Sequence, residues 1–553
     1  MVGRRQFLRS AAGTIGGVCL ARYAALAATA DSHIEIILDE PIGMISPNIY
    51  GHFIEHLGGV IYDGVWVGEE SKVANIRGVR KSLIDDLKAI QAPVIRWPGG
   101  CFADSYDWKD GIGPRDARPR RTNFWVDTGQ LRDKGNVPQS YDPNHFGTNE
   151  FVGFCRAAGA EPYLAANLRS LPALDFDHWV EYCNSPAGST TYADIRAAAG
   201  AADPFEVRYW GLGNEAWGCG GQFTPADYAV EFLRFLAWIP RYGVDLQLVA
   251  SGPNGGDWDW TRSFLEKVVQ KGHARLNDIY GLSLHHYASR LSYGVAPGGR
   301  VPKPDALQFG DLEWYELMRE GAKVESFVKG HWEIMGEFDT ERHMRLVVDE
   351  WGPWYAQGSE VSPTDVFGQM ITLRDAVFSA RTLDSFNRNA EKVAMANTAQ
   401  MINCINSLFI AHGDQYVRTP VYHVFAMYAA HQGGTAVRTE LDSPMAHYMR
   451  EGQDADFPAL DGSASISEDK KTLTLTVANT DTKQPRETEI AIRGAEAKGC
   501  QVATLTSADI HAHNTFENPD AVKPEMRTIE ASGSIVNYTI PPASVTRLDF
   551  ALS

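Results

Sequence analysis

The clearest chemical feature of this chain is a pair of glutamates, each placed directly after an apolar stretch. Glu215 ends the run 209–215 (YWGLGNE), and Glu350 ends the run 346–350 (LVVDE). A carboxylate in such a place is costly to desolvate unless it has a partner or a task. Two such acids facing one cleft meet the requirement for cleaving a glycosidic bond, which needs a protonated donor and an ionised nucleophile or base.

The neighbours of these glutamates support the same chemistry. Trp217 and Trp351 follow them closely in the sequence, and indole rings offer flat apolar faces for a sugar ring. A single glutamate at a strand end is more often a surface residue or an ion-pair partner. The pair, each with a tryptophan nearby, favours a carbohydrate cleft that needs neither a metal nor another cofactor.

A second pattern is typical of a different chemistry. Residues 52–56 (HFIEH) match the H-x-x-E-H arrangement of zinc peptidases. That arrangement binds zinc only on a helix, where both histidines share one face. Pro47 precedes the segment and Gly58 follows it. We therefore expect a strand that leads into a loop, and no metal site.

Catalytic carboxylates must be positioned by a scaffold, and the sequence pattern in the first four-fifths of the chain predicts which fold provides it. Short apolar runs alternate with helix-periodic segments, which favours a closed (β/α)8 TIM barrel with its site at the C-terminal ends of the strands. A doubly wound sheet is the alternative. The predicted strands are 49–54, 94–97, 162–167, 207–213, 247–251, 280–285, 346–350 and 398–403. The clearest predicted helices are 79–90, 148–158, 225–239 and 260–271.

The character of the sequence changes after about residue 434. Short alternating runs separated by turn residues follow, which is typical of an additional all-β jelly roll or sandwich. A strand at 33–38 precedes the barrel and can join that sheet. The predicted domains are a catalytic barrel at 48–434 and a β-sandwich formed by 31–47 with 435–553.

Residues 1–30 have the features of an export signal. Arg4 and Arg5 precede Phe7, an Ala- and Gly-rich apolar stretch follows, and 28–30 (ATA) resembles a cleavage site. The arginine pair is typical of a twin-arginine signal and predicts a periplasmic or extracellular protein. The seven cysteines include no CxxC pair. An oxidising compartment permits some of them to pair, but twin-arginine cargo folds before export, so free, buried thiols are the expectation.

The net charge limits the partners. The 553 residues include 51 Lys and Arg against 69 Asp and Glu, a net charge of −18. So acidic a chain is repelled by phosphate backbones and anionic lipid, which excludes nucleic acid and membranes as expected partners.

Six segments, in this order, carry a resemblance to a known family. They are 51–64 (GHFIEHLGGVIYDG), 95–121 (IRWPGGCFADSYDWKDGIGPRDARPRR), 149–168 (NEFVGFCRAAGAEPYLAANL), 211–215 (GLGNE), 283–287 (SLHHY) and 349–351 (DEW). Together they closely resemble glycoside hydrolase family 51, the retaining α-L-arabinofuranosidases. The resemblance implies a (β/α)8 barrel with a jelly-roll-like domain, release of terminal arabinofuranose from hemicellulose or oligosaccharides, and a homo-oligomer, often a hexamer.

The resemblance also implies roles for individual residues. Glu215 becomes the acid/base and Glu350 the nucleophile of a double displacement, with carboxyl groups about 5–5.5 Å apart. The implied substrate-binding residues are Glu55, Arg96, Cys101, Asn214, His285, Tyr287 and Gln400, to which the stacking argument adds Trp217 and Trp351. Cys101 departs from the asparagine that many members of the family place against the sugar, and a thiol is a weaker hydrogen-bonding group.

Two alternatives stay open at the level of sequence. An endo-acting glucanase or xylanase uses the same barrel and the same two carboxylates. A non-catalytic, exported sugar-binding protein explains the tryptophans but leaves both glutamates without a task.

Overall fold

The computed structural model describes residues 30–127, 137–291, 301 and 303–553. The predicted signal at 1–30 lies outside the described residues, apart from Ala30. Within these described ranges, no helix is long and apolar enough to cross a membrane.

Eight parallel strands close into a barrel. Each strand pairs with the next one along the chain, and the eighth pairs with the first, with Asn397 opposite Gly51. The closed sheet confirms the (β/α)8 prediction, and the doubly wound alternative is wrong. The barrel strands are Gly51–Phe53, Val94–Trp97, Glu161–Ala166, Tyr209–Leu212, Gln247–Ala250, Gly281–Ala288, Arg345–Pro353 and Val393–Thr398.

The eighth strand lies earlier than predicted. Residues 398–403 were expected to form it, whereas the strand is Val393–Thr398. The following residues form a tight loop, in which the Met401 amide donates to the Phe53 carbonyl and the Asn406 amide donates to the Ala399 carbonyl. Gln400 therefore stands just beyond the end of the strand rather than inside it.

The helices surround the barrel, and local sequence signals set their ends. The helix Pro225–Phe235, for example, begins after Thr224, whose hydroxyl accepts from the Asp227 amide, and has proline in its first turn. The predicted helices lie within four residues of the observed ends. The α-helices are Lys81–Ala89, Thr148–Ala158, Ala173–Asn184, Thr191–Ala198, Pro225–Phe235, Trp258–Val269, Asp311–Phe338, Leu373–Arg388 and Pro420–Tyr428.

A nine-stranded sheet forms the C-terminal β-rich domain. Its N-terminal strand, Ser32–Met44, lies between Thr435–Asp442, to which it is antiparallel, and Arg486–Arg493, to which it is parallel. The other strands are Leu460–Ile466, Thr472–Asn479, Ala497–Thr506, Glu525–Ile529, Ile535–Ile540 and Ser544–Leu552. The placement of the domain boundary at residue 434 stays a prediction.

Four two-stranded ribbons complete the described strands. They are Asn75–Ile76 with Val79–Arg80, Arg121–Thr122 with Tyr141–Asp142, Phe409–His412 with Gln415–Arg418, and Met445–Arg450 with Gln453–Pro458.

One buried helix joins the barrel to the β domain. In Leu373–Arg388, the carboxylate of Asp384 accepts hydrogen bonds from Ser463 and Thr476 of the sheet and from Tyr428. Burial raises the pKa of Asp384 to about 7. A buried carboxylate with three donors fixes the orientation of the sheet against the barrel, because any rotation would leave it unsatisfied.

Candidate active site

The two glutamates meet at the C-terminal end of the barrel. Glu350 lies within the seventh strand, and Glu215 lies three residues beyond the fourth. One oxygen of each carboxylate and a ring nitrogen of His285 lie within 4.8 Å of one another. So close an approach of two carboxylate oxygens favours the retaining geometry, with carboxyl groups about 5–5.5 Å apart, over the inverting range of about 6.5–9.5 Å.

Glu350 is surrounded by groups that favour its ionised form. Arg96 Nη1 donates to Oε1 at 2.8 Å, and the Tyr287 hydroxyl donates to Oε2 at 2.8 Å. Burial raises the pKa of Glu350, but the charges on His285 and Arg96 and these two hydrogen bonds outweigh it and hold the pKa below its usual range. Gly100 leaves room for this arrangement, since a Cβ there would approach Oε1 to 2.6 Å.

Glu215 has a different environment from Glu350. Its side chain is 18% exposed, compared with 8% for Glu350, and among the described residues no arginine or lysine pairs with it. Its φ of +41° lies in the left-handed region that non-glycine residues seldom adopt. The backbone on either side is fixed, because the Asn214 amide donates to Asp104 Oδ2 at 2.9 Å and the Ala216 amide donates to Ser251 Oγ at 3.1 Å.

His285 connects the two carboxylates. Its Nδ1 lies 3.0 Å from Glu215 Oε1 and 3.5 Å from Glu350 Oε2. Burial lowers the pKa of His285, but the negative charges of Glu350 and Glu215 and the hydrogen bond to Glu215 raise it above its usual value overall. The imidazole can therefore carry a positive charge between the two acids, and its protonation responds to the charges on them.

A cavity of about 510 Å³ opens directly over this pair. Of the residues predicted from sequence, it is lined by Glu55, Cys101, Glu215, Trp217, Tyr287, Glu350 and Gln400. Three other predicted residues lie behind the cavity wall and contact the site from there. Arg96 donates to Glu350 and, through Nη2, to Asn214 Oδ1 at 2.6 Å, and His285 bonds to Glu215.

The stacking prediction selected the wrong tryptophan beside Glu350. Trp351 is 1% exposed and packs against Phe425 and Phe386, so it cannot contact a substrate. Successive side chains of a strand point to opposite faces of the sheet. Because Glu350 points towards the site, Trp351 points towards the helices outside the barrel. Trp354, three residues further on, lines the cavity and meets the Tyr287 ring edge-on at 5.2 Å.

Sequence reasoning also missed several residues on loops. Trp125 and Phe367 line the cavity, and their rings contact each other at 5.5 Å. Asp104 is fully buried and accepts from the backbone amides of Leu168, Arg169 and Asn214. None of these residues follows an apolar strand, so strand-end reasoning offered no signal for them.

Glu55 is held from three directions. Its Oε1 accepts from the Gly100 and Phe102 amides at 3.1 and 2.9 Å, and its Oε2 accepts from Gln400 Nε2 at 3.0 Å. Burial and the nearby charge of Glu350 raise the pKa of Glu55 to about 7, despite those three hydrogen bonds. Glu55 is thus poised between a carboxylate and a carboxylic acid at neutral pH.

The two histidines of the HFIEH segment are not arranged as in a zinc motif. His52 packs against Phe425, whereas His56 bonds to Asp142 and accepts from Trp97 Nε1. The two histidines have different neighbours and do not converge on one point, as expected for a strand rather than a helix.

Two of the cysteines are joined. Cys101 and Cys219 form a disulfide with Cα atoms 5.5 Å apart, so the expectation of free thiols is wrong for this pair. Cys155, Cys183, Cys404 and Cys500 are free and buried, as expected. The two partners are 118 positions apart, and no local sequence pattern indicates their pairing. The bond fixes the loop after the second strand to the loop that carries Glu215.

Comparisons with known proteins agree with this geometry. Residues 86–292 match the model of an α-L-arabinofuranosidase 1 domain, and residues 349–544 match that of an α-L-arabinofuranosidase C-terminal domain. An intracellular exo-α-L-arabinofuranosidase of Bacteroides ovatus is 33% identical over 532 residues, 96% of this chain and 98% of the relative. The GH51 arabinofuranosidase structure from Xanthomonas axonopodis pv. citri is 32% identical with a TM-score of 0.84, and the match covers 94% of this chain and all of the other.

The chain belongs to glycoside hydrolase family 51. A further family member of known structure, the α-L-arabinofuranosidase from Thermotoga maritima in complex with arabinose, is 30% identical with a TM-score of 0.78. That match covers 94% of this chain and all of the Thermotoga chain.

The predicted periplasmic or extracellular location is wrong. The Bacteroides ovatus relative is named intracellular, and so is an exo-α-(1→5)-L-arabinofuranosidase of Bacillus subtilis, 27% identical over 92% of this chain and 97% of its own length. An arginine pair followed by a mild Ala- and Gly-rich stretch is a short pattern, and by itself it does not distinguish an export signal from an ordinary N-terminus.

Proposed function

We propose that this family 51 enzyme is a retaining exo-α-L-arabinofuranosidase, with Glu350 as its nucleophile and Glu215 as its acid/base. The observation that carries the proposal is the contrast between the two carboxylates, which lie close together in different surroundings. The arginine, tyrosine and histidine around Glu350 favour a permanent negative charge. Among the described residues, no arginine or lysine pairs with Glu215, which lines the cavity beside Glu350.

In the first step, Glu350 attacks the anomeric carbon while Glu215 protonates the leaving oxygen. Arg96 aims the carboxylate of Glu350 and also orients Asn214 towards the sugar. Because Glu350 is already ionised and fixed by Tyr287, little reorganisation is needed as the bond forms.

In the second step, Glu215 changes from acid to base. Having given up its proton, it takes one from water, which attacks the glycosyl–Glu350 ester and releases arabinose with retained configuration. The negative charge on Glu215 is greatest between the two steps, when Glu350 is esterified. His285 then faces one carboxylate rather than two, and we expect its positive charge to pair with Glu215 at 3.0 Å.

The substrate-binding roles of the other residues follow from their positions in the cavity. Glu55 and Gln400 present a linked carboxyl and amide to the sugar hydroxyls. Trp217 and Trp354 lie on the cavity wall and offer ring faces to the sugar or to its leaving group. The name of the Bacillus relative makes α-1,5-linked arabino-oligosaccharides the first substrates to examine. A homo-oligomer remains a prediction.

A product-stereochemistry experiment tests the proposal. We expect hydrolysis of 4-nitrophenyl α-L-arabinofuranoside, followed by NMR in real time, to yield α-arabinofuranose first. We expect Glu350→Gln to abolish turnover, because an amide is not an effective nucleophile. Initial formation of the β-anomer, or faster cleavage of an aryl β-xyloside or a β-glucan, would contradict the assignment.

A further inference from the structure

The Cys101–Cys219 disulfide lies against the carboxylate proposed to be the acid/base. Cys219 Sγ is 3.6 Å from Glu215 Oε2, and Cys101 Sγ is 4.0 Å from the same oxygen. Cys101 also lines the substrate cavity, and both cysteines are partly exposed. The retaining reaction needs no sulfur at this place.

The three side chains have the spacing of a metal site. The two sulfur atoms and one carboxylate oxygen lie within 4.8 Å of one another. Zinc bonds to thiolate at about 2.3 Å and to carboxylate at about 2.0–2.2 Å, so a tetrahedral site has sulfur and oxygen about 3.6 Å apart. The two sulfur–oxygen distances here, 3.6 and 4.0 Å, are already close to that value.

We propose that reduction of this disulfide creates a zinc site made of Cys101, Cys219 and the carboxylate of Glu215. Once the bond is broken, the sulfur atoms need to separate to about 3.8 Å to occupy two corners of a tetrahedron around zinc. The cavity supplies the entry path and room for a water as the fourth ligand. Two thiolates with one carboxylate suit zinc better than calcium or magnesium, which prefer all-oxygen sites.

A dithiol can reduce the Cys101–Cys219 disulfide by thiol–disulfide exchange. One thiolate of the dithiol attacks a sulfur of the disulfide, and its second thiolate then displaces the remaining cysteine. The dithiol leaves as a cyclic disulfide, and its two protons pass to Cys101 and Cys219. Binding of Zn²⁺ displaces those two protons to solvent.

The consequence for activity rests on the proposed role of Glu215. A carboxylate that binds zinc cannot carry a proton to the leaving oxygen, so the reduced enzyme is inhibited by zinc while the oxidised enzyme is not. The disulfide thus protects the acid/base from soft metals. Zinc binding itself is independent of the assigned role and can be measured without a substrate.

The test compares oxidised and reduced full-length enzyme. A phosphine is the suitable reductant, because dithiols chelate zinc; it becomes a phosphine oxide by taking the oxygen of a water, whose two protons go to the cysteines. Bound zinc is counted by mass spectrometry after gel filtration. We expect one zinc per reduced chain and none per oxidised chain, and a loss of activity of about 100-fold, the lower end of a general acid's contribution, that EDTA reverses.

Variants separate this site from its neighbours. We expect Cys219→Ser to lose the bound zinc under reducing conditions, whereas Cys500→Ser, in the β domain, binds zinc as the wild type does. Near-UV circular dichroism checks that each variant is folded, and the comparison of oxidised with reduced wild type needs no variant.

Three results would overturn the proposal. They are a reduced enzyme that binds no zinc, a Cys219→Ser variant that binds as much as wild type, and equal inhibition of the oxidised enzyme. The last result would place the metal at Glu215, His285 and Glu350, whose donor atoms also converge within 4.8 Å. A failure of arabinofuranoside hydrolysis in the oxidised, metal-free enzyme would instead contradict the proposed function and leave the zinc count informative.

Discussion

The hydroxyl of Tyr287 is a single group whose removal tests the electrostatics of the nucleophile. It donates to Glu350 Oε2 at 2.8 Å, and Tyr287→Phe removes that donor while keeping the ring that packs against Trp354. Without the donor, ionised Glu350 loses one of the interactions that keep its pKa low. We therefore expect the variant to be impaired chiefly at acidic pH.

The magnitude follows from the charge on the acceptor. A hydrogen bond to a charged group contributes about 1.5–3 kcal/mol, and one unit of pKa corresponds to about 1.4 kcal/mol. The substitution should therefore raise the pKa of Glu350 by about 1–2 units. The ionised form is the reactive one, so activity is lost as the pH falls through this raised pKa and recovers at higher pH.

The assay is the pH profile of kcat/KM with an aryl arabinofuranoside, whose acidic limb reports the ionisation of the free enzyme. Tyr163→Phe is a matched control, because its hydroxyl donates at 2.9 Å to the buried Asp349 instead of Glu350. We expect the acidic limb to move upwards in Tyr287→Phe and much less in Tyr163→Phe. An unmoved limb in Tyr287→Phe, or an equal movement in both variants, would refute the assigned role of the hydroxyl.

Three further predictions concern neighbouring groups. Azide should rescue Glu215→Ala on a substrate with a good leaving group, giving a glycosyl azide detectable by mass spectrometry; the absence of rescue would count against Glu215 as acid/base. Arg96→Met leaves Glu350 and Asp349 without their shared cation and should lower the free energy of unfolding by about 3–5 kcal/mol, measured by urea denaturation. Trp351→Ala should cost a similar amount, about 3–5 kcal/mol, through a core cavity, whereas Trp354→Ala should mainly raise KM; the reverse pattern would contradict the placement of the two rings.

The barrel and its glutamates were predictable because both depend on local order in the sequence. An apolar run followed by an acid identifies a strand end, and strand ends meet on one side of a closed parallel barrel. The eighth strand was misplaced because two adjacent segments, 393–398 and 398–403, are both apolar enough to be a strand. The second segment is a loop because its backbone bonds close on itself: the Gln400 amide donates to the Cys404 carbonyl, and the Asn406 amide donates to the Ala399 carbonyl.

Other parts of the site depend on distant contacts that no local pattern encodes. Trp351 and Trp354 look equally suitable in sequence, and the alternation of side chains along the strand decides between them. Asp104 acts through backbone amides of residues that lie more than 60 positions away. The cysteine pair is likewise not evident from local sequence, because it forms only when the barrel brings the loops after the second and fourth strands together.

The interior position of the N-terminal strand has a consequence for synthesis of the protein. Ser32–Met44 leaves the ribosome early, yet its two partners, Thr435–Asp442 and Arg486–Arg493, lie roughly 390 residues or more downstream. At about 5–20 residues per second, the strand waits on the order of 20–80 s with both of its edges unpaired. The barrel can therefore form during translation, but the β domain is completed only after its last strand, Ser544–Leu552, has been synthesised. A truncation that removes Ser32–Met44 would take out an interior strand of the nine-stranded sheet, with a paired neighbour on each side.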